Sequence, residues 1–187
     1  MRCLWGLLLL SLSLLVSAQK TVLYCGKMID VEQGIVREKM TIIVNGNIIE
    51  KVAEGYLPSQ KEDKVIDLKS MTVMPGWMDM HVHIESESGP RRYEETFRDN
   101  DAYVALKATQ YCARTLDAGF TTVRDLGGTG VNVSLREAIK NGFIKGPRVY
   151  TAEKSIATTG GHGDPTNGVR DNLKGDPGPK EGVINSP

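Results

Sequence analysis

The sequence predicts an α/β protein in which a short all-β segment precedes alternating strands and helices. Three observations carry this. Residues 20–73 are rich in β-branched runs, and from Pro75 onward the pattern becomes strand–helix–strand–helix–strand, the signature of a parallel sheet with helical crossovers. The composition suits a folded core: 40% of the 187 residues are hydrophobic and the formal net charge is zero, unlike a disordered chain. Equal numbers of basic and acidic residues, 23 each, with no block of like charge, exclude a basic nucleic-acid binder.

The first 18 residues, MRCLWGLLLLSLSLLVSA, read as an export signal rather than as fold. Arg2 is the only charge, an apolar run extends from Leu4 to Val16, and small residues close it at Ser17-Ala18, the order of a charged region, an apolar region and a cleavage site. The run is short of the roughly 20 apolar residues that span a bilayer. The expectation is cleavage after Ala18, an exported (periplasmic or secreted) protein and no lasting membrane anchor. Gln19 follows, so no cysteine is placed to carry a lipid. Cys25 and Cys112 remain, too few for a disulfide framework; both read as small buried hydrophobes, with a bridge between them left open.

Residues 19–74 are expected to form a small β-domain. Lys20–Ile29, Thr41–Val44, Ile48–Val52, Val65–Leu68 and Met71–Met74 read as short strands, and Asn45-Gly46 as the turn of a hairpin. Residues 75–187 carry the strand–helix units. Trp77–Ile84 reads as the first strand and Glu85–Arg92 as a polar loop. In Asp101–Ala118, Val104, Ala108, Tyr111 or Cys112, and Thr115 or Leu116 recur at helical spacing, and Gly119 suits the position just past the helix. Phe120–Leu126 is a second strand. Ser134-Leu135-Arg136-Glu137 reads as a capping box opening a short helix that Gly142 closes. Pro147–Ala152 is a third strand, followed by a glycine-bearing loop over Thr158–Gly168. Ser186-Pro187 reads as the start of a further helix, with Ser as cap and Pro at the first helical position.

The chemistry concentrates in Met74-Pro75-Gly76-Trp77-Met78-Asp79-Met80-His81-Val82-His83. Side chains alternate along a strand, so Asp79, His81 and His83 are expected on one face and Met80 and Val82 on the other. Two imidazoles at adjacent same-face positions can grip one ion. A hydrogen-bonded or exposed histidine pair is the bland alternative. Asp79 is expected to support the pair from behind. His162, in Gly160-Gly161-His162-Gly163-Asp164, reads as a substrate contact, because flanking glycines let backbone approach a ligand; a solvent-facing His is the alternative. Asp164 serves beside it or caps a turn. Arg124 and Asp125 face the site or form an ordinary ion pair. Glu85 and Glu87 read as a solvated acidic edge.

The stretch VIDLKSMTVMPGWMDMHVH resembles the first barrel strand of the amidohydrolase superfamily in its Pro-Gly-x-x-Asp-x-His-x-His form. GFTTVRDLGG (119–128) and ATTGGHGD (157–164) resemble the branch of imidazolonepropionase-like and Xaa-Pro or Xaa-Arg dipeptidase-like enzymes. The resemblance implies a TIM (β/α)₈ barrel preceded by a small β-sandwich domain, and a divalent metal site of one or two ions, typically Zn²⁺. It implies a metal-activated hydroxide attacking an amide-type C–N substrate, a small molecule or dipeptide. His81 and His83 match its ligands. The bridging Lys, two further His and catalytic Asp of the family belong to later strands, so the catalytic acid/base is expected beyond Pro187. A complete barrel needs roughly 200–250 residues, so the expectation is the first three strand–helix units, inactive in isolation.

Three functions therefore compete: a metal-dependent hydrolase of C–N bonds, more narrowly a secreted metallo-dipeptidase, and a non-catalytic binding protein on the same fold. The export reading is checked by N-terminal sequencing of the released protein, which should begin at Gln19; a product still beginning at Met1 refutes it.

Overall fold

The computed structural model describes residues 19–186. The export-signal reading of 1–18 and the helix start at Ser186-Pro187, which needs Pro187, therefore lie outside the described residues. The chain divides into two compact units, meeting in sequence at Pro75 and Gly76.

The first unit supplies one four-stranded sheet, ordered β3-β2-β1-β4, from β1 (Lys20–Asp30), β2 (Ile35–Asn45), β3 (Ile48–Glu54) and β4 (Lys64–Val73). β1 pairs antiparallel with β2 and parallel with β4. Cys25, Met40 and Ile42 form its buried cluster, with Leu23, Met28, Val44 and Val73 packed around them. The β2–β3 hairpin exists, but its two-residue loop is Gly46-Asn47, because Asn45 pairs with Ile48. Gly46 alone of the two has positive φ, +61°, so the turn needs left-handed backbone at its first position only. The turn is therefore one residue later than expected from Asn45-Gly46.

The two short strands expected over 65–74 are one strand with a kink. Cys25 pairs with Leu68 and Lys27 with Thr72, so β4 carries extra residues between these points, a bulge. The bulged backbone presses on Gly26, where a Cβ would collide with the Lys69 carbonyl oxygen. Gly26 is thus required by proximity, not by its own dihedrals.

The second unit holds a parallel sheet in sequence order, β5 (Trp77–Val82), β6 (Phe120–Asp125) and β7 (Arg148–Thr151). Helix α1 (Arg92–Arg98) and helix α2 (Asp101–Asp117) lie between β5 and β6, and helix α3 (Val131–Lys140) between β6 and β7. Val123 and Val149 are register partners and so share a face; they are buried against Ala108 and Cys112 of α2 and Val131 and Leu135 of α3. Beyond β7 come a short helix, α4 (Asp171–Lys174), and a 3₁₀ turn at Pro179–Glu181. Among the described residues no helix is long and apolar enough to cross a membrane.

Helix α2 ends as the sequence predicts. Asn100 Oδ1 accepts from the Tyr103 amide at 2.9 Å at its start, and Gly119 follows its end with φ +96°. Helix α3 does not start at Ser134. It begins one turn earlier behind Gly130, and Ser134 makes no cap, so the expected capping box is a chance spacing. Helix α1 goes unannounced in the sequence: its polar residues bury none of their number, so no apolar stripe marks it. Cys25 and Cys112 are both buried free thiols; burial holds both thiols above the ordinary range, Cys112 at about 11.

Gly26→Ala should destabilise the protein by about 3 kcal/mol, the upper range for overpacking against fixed backbone. Gly34→Ala, at φ +66° with open space around it, should cost about 1 kcal/mol for left-handed backbone alone. Urea denaturation of the two variants checks the order, and equal costs would contradict it.

Candidate active site

The C-terminal ends of β5, β6 and β7 bring together the loops that follow them, the end where α/β barrels carry their sites. His81 lies in β5 and His83 just past it. Both are solvent-exposed, and their rings meet edge to face with centroids 5.6 Å apart. His83 Nδ1 donates to the Gly127 carbonyl oxygen at 2.6 Å. A carbonyl only accepts, so Nδ1 carries a proton in this contact and Nε2 takes no part in it.

Strict alternation does not run the length of this segment. Asp79 lies opposite Val123 and Val82 opposite Asp125, so β5 has one extra residue between them. Asp79 is therefore not simply the next rung below the histidines. Its Oδ1 accepts from the His81 amide at 2.9 Å, so it supports the pair through the backbone. A second slip lies in β6 at Thr121, whose side chain packs where a Gly76 Cβ would be. The Pro-Gly ahead of the strand has a steric reason.

Arg124 and Asp125 do not pair. Arg124 Nε donates to the Met80 carbonyl at 3.0 Å and is exposed. Asp125 is fully buried. Its Oδ2 accepts from the Ile84 amide at 2.7 Å, and its Oδ1 from the Gly127 amide at 2.9 Å and from Asn132 Nδ2 at 3.0 Å. The acidic edge also divides. Glu87 is exposed and pairs with Arg114 at 2.9 Å. Glu85 is 6% exposed and accepts from the Thr129 amide at 2.7 Å and the Asn132 amide at 2.6 Å. It caps the start of α3, where free N–H groups favour an anion.

Asn132 carries no signal in the sequence, yet it ties all three strand ends. Besides Asp125 and Glu85, it reaches the Glu153 carbonyl beyond β7 through Nδ2 at 2.9 Å. The double glycine after β6 is equally determined. A Cβ at Gly127 would strike Ser155, and one at Gly128 would strike the Glu85 carboxylate.

A cavity of 740 Å³ opens here, its lining including His83, Glu85, Gly127, Gly128, Ser155 and His162. His162 is exposed and shares this cavity with His83. Lys107 also lines it, held between Asp99 and Glu95 at 3.0 Å each. Hydrogen bonds that its ammonium donates to Asp99 and Glu95 keep it charged, above the usual lysine range. Asp164 takes the turn-capping role. It is buried and accepts from the Gly160 amide at 2.7 Å, the Thr166 amide at 2.8 Å and the Thr166 hydroxyl at 2.6 Å. The Thr166 hydroxyl, then these amides, hold its carboxyl below the usual aspartate range. Among the described residues no group of three or more His, Cys, Asp or Glu is gathered to hold a metal. The expectation of a catalytic acid/base beyond Pro187 concerns nothing among the described residues.

The Amidohydrolase family model matches residues 72–185. The crystal structure of a Xaa-Pro dipeptidase with bound methionine in its active site is 42% identical, with a TM-score of 0.81, over 89% of this chain and 41% of that one. A prolidase complexed with N-methylphosphonate-L-proline is 32% identical with a TM-score of 0.67, over 78% of this chain and 35% of that one. The ochratoxinase of Aspergillus niger is 28% identical over 149 residues, 79% of this chain and 31% of its own length. The chain thus spans well under half the length of these relatives.

Asp164→Asn should loosen the 158–168 loop, since an amide nitrogen cannot accept from Gly160 or Thr166. Amide exchange at Gly160 or at Thr166, whichever faces the new NH₂ group, should quicken about tenfold, the worth of one hydrogen bond. Because the folded carboxyl lies below its unfolded value of about 3.9, its contribution is fully present above that value and is lost as pH falls toward the depressed one. Amide protection that is unchanged in the variant at neutral pH would refute this role.

Proposed function

The chain belongs to the amidohydrolase family, and from that premise we propose that it forms the N-terminal portion of a metal-dependent hydrolase of amide-type C–N bonds. Its first three strand–helix units open a (β/α)₈ barrel, and its β-domain forms part of a small sandwich. The observation that carries this reading is the His83 contact to Gly127. An imidazole held by one nitrogen presents the other as a lone pair of fixed direction, the arrangement a metal ligand needs. The edge-to-face His81 ring adds a second imidazole on the same side. These two residues would hold a divalent ion, for which Zn²⁺ suits imidazole. When bound, such an ion supplies Lewis-acid polarisation of the carbonyl and activation of water.

The rest of the site prepares the ground for that chemistry. Asp79 fixes the His81 backbone. The glycines at 127 and 128 let the loops after β5, β6 and β7 close together without side-chain collision. His162 comes to the cavity from the loop after β7 and serves as a substrate contact. Dipeptides are the favoured substrates, from the 42% identity to a Xaa-Pro dipeptidase. The leader-like start supports export.

The test uses the full-length protein. His81→Ala/His83→Ala should abolish bound zinc, measured by mass spectrometry of the metal, and hydrolysis of Xaa-Pro dipeptides together. His162→Ala should raise KM while leaving metal content near normal. Full metal occupancy in the double variant refutes the ligand assignment. Zinc and dipeptide binding without turnover in the unaltered protein would instead favour the binding-protein reading.

A further inference from the structure

Asp125 is a carboxylate that neither lines the cavity nor touches solvent, yet two of its three hydrogen bonds end beside His83. Its Oδ2 holds the amide of Ile84, the residue following that histidine. Its Oδ1 holds the amide of Gly127, whose carbonyl accepts the His83 Nδ1 proton. One buried group therefore grips both the backbone that carries the imidazole and the peptide that leads into the carbonyl orienting it. We propose that Asp125 is a positioning residue that fixes the tautomer and direction of the His83 ring. This inference rests on the reading of His83 as a metal ligand.

Nearby features leave Gly127 few other supports. Its φ of +140° is not one that an ordinary residue holds, and Ser155 fills the space where a Cβ would be, so no side chain of its own can anchor it. The flanking amides bind elsewhere: Leu126 donates to the Val82 carbonyl at 3.1 Å and Gly128 to the Glu153 carbonyl at 2.8 Å. The Gly128 contact holds the peptide that carries the Gly127 carbonyl, and the Asp125 contact holds the peptide before it, so the two together set the direction of that carbonyl. Asn132 Nδ2, at 3.0 Å from the same Oδ1, keeps the carboxylate in its rotamer. Glu85 holds the Asn132 backbone in turn.

The carboxylate is needed because all three of its partners are N–H donors. In Asp125→Asn one of the two positions becomes an NH₂ group and can no longer accept. With the amide nitrogen toward Ile84, the backbone after His83 is released. With it toward Gly127, the peptide leading into the carbonyl that orients the ring is released. Either orientation removes one of the two anchors, so the isosteric change should act on His83 whichever way it settles.

The test is made on the metal-free full-length protein labelled with ¹⁵N-histidine. Long-range ¹H–¹⁵N spectra report which ring nitrogen carries the proton, and His83→Gln identifies the peaks. The unaltered protein should show His83 protonated at Nδ1. Asp125→Asn should convert it toward the Nε2–H form that free imidazole favours in water, and should weaken zinc binding about tenfold, the low end for residues that orient a ligand. Val149→Ala, a loss of core packing at a buried site, should lower stability yet leave the tautomer unchanged. This separates positioning from general structural support. A His83 protonated at Nε2 in the unaltered protein, or an unchanged Nδ1–H form in Asp125→Asn, overturns the proposal. Should Asp125→Asn not fold, couplings across hydrogen bonds from the Ile84 and Gly127 amides to the Asp125 carboxyl carbon decide it in the unaltered protein. Their presence with Nδ1–H supports the proposal, and their absence overturns it. If His83→Ala binds zinc normally, the metal reading fails while the tautomer result still stands; an unchanged tautomer with zinc lost in His83→Ala fails this inference alone.

Discussion

The carboxylate of Asp125, buried among three N–H donors, ties the ends of β5 and β6 to helix α3. Each hydrogen bond to such a carboxylate is worth about 1.5–3 kcal/mol, and a buried polar group without donors is costly. The donors come from the loop after β5, the loop after β6 and helix α3. Glu85 acts as a second anion on the same helix, so α3 begins between two carboxylates. The crossover is thereby tied to the strands on both of its sides before any apolar packing is counted.

Close approach is the second constraint, and the glycines record it. Gly76 yields to Thr121, Gly127 to Ser155, Gly128 to Glu85 and Gly146 to Ile139 and Cys112. At Gly76, Gly128 and Gly146 what excludes a side chain is a neighbour, not a left-handed φ. The Pro-Gly before β5 and the Gly-Gly after β6 are thus two halves of one packing solution. The first lets the bulged start of β6 lie against β5. The second lets the loops close over the strand ends.

Much of this unit was legible in the sequence because its signals are local. Apolar spacing marks α2, β-branched and apolar runs mark β6 and β7, and the His-x-His pair sits where β5 ends. What was not legible depends on partners distant in sequence. Glu85 looks like solvated surface until the start of α3, more than forty residues on, is seen to bury it. Asn132 carries no distinguishing neighbour in sequence, and only the converging strand ends reveal its use. The false capping box at Ser134 shows the converse, a correct local pattern overruled because Glu85 supplies the cap earlier. Bulges in β4, β5 and β6 escaped for the same reason. A strand's extra residue is defined only against the strand beside it, and so Asp79 could not be assigned its place by alternation alone.

The two thiols have a consequence for the chemical durability of the chain. Thiol–disulfide exchange proceeds through the thiolate. With Cys112 held at about 11 by burial, only about one molecule in ten thousand carries that thiolate at pH 7. Cys25 is shielded in the same sense, with no exposed surface. A folded copy meeting glutathione disulfide or an oxidising lumen would offer neither sulfur as a nucleophile. At these two positions, mixed disulfides and covalent dimers are thereby confined to molecules that have not yet packed their cores, so for Cys25 and Cys112 the redox hazard belongs to the folding chain and ends when the sheets close.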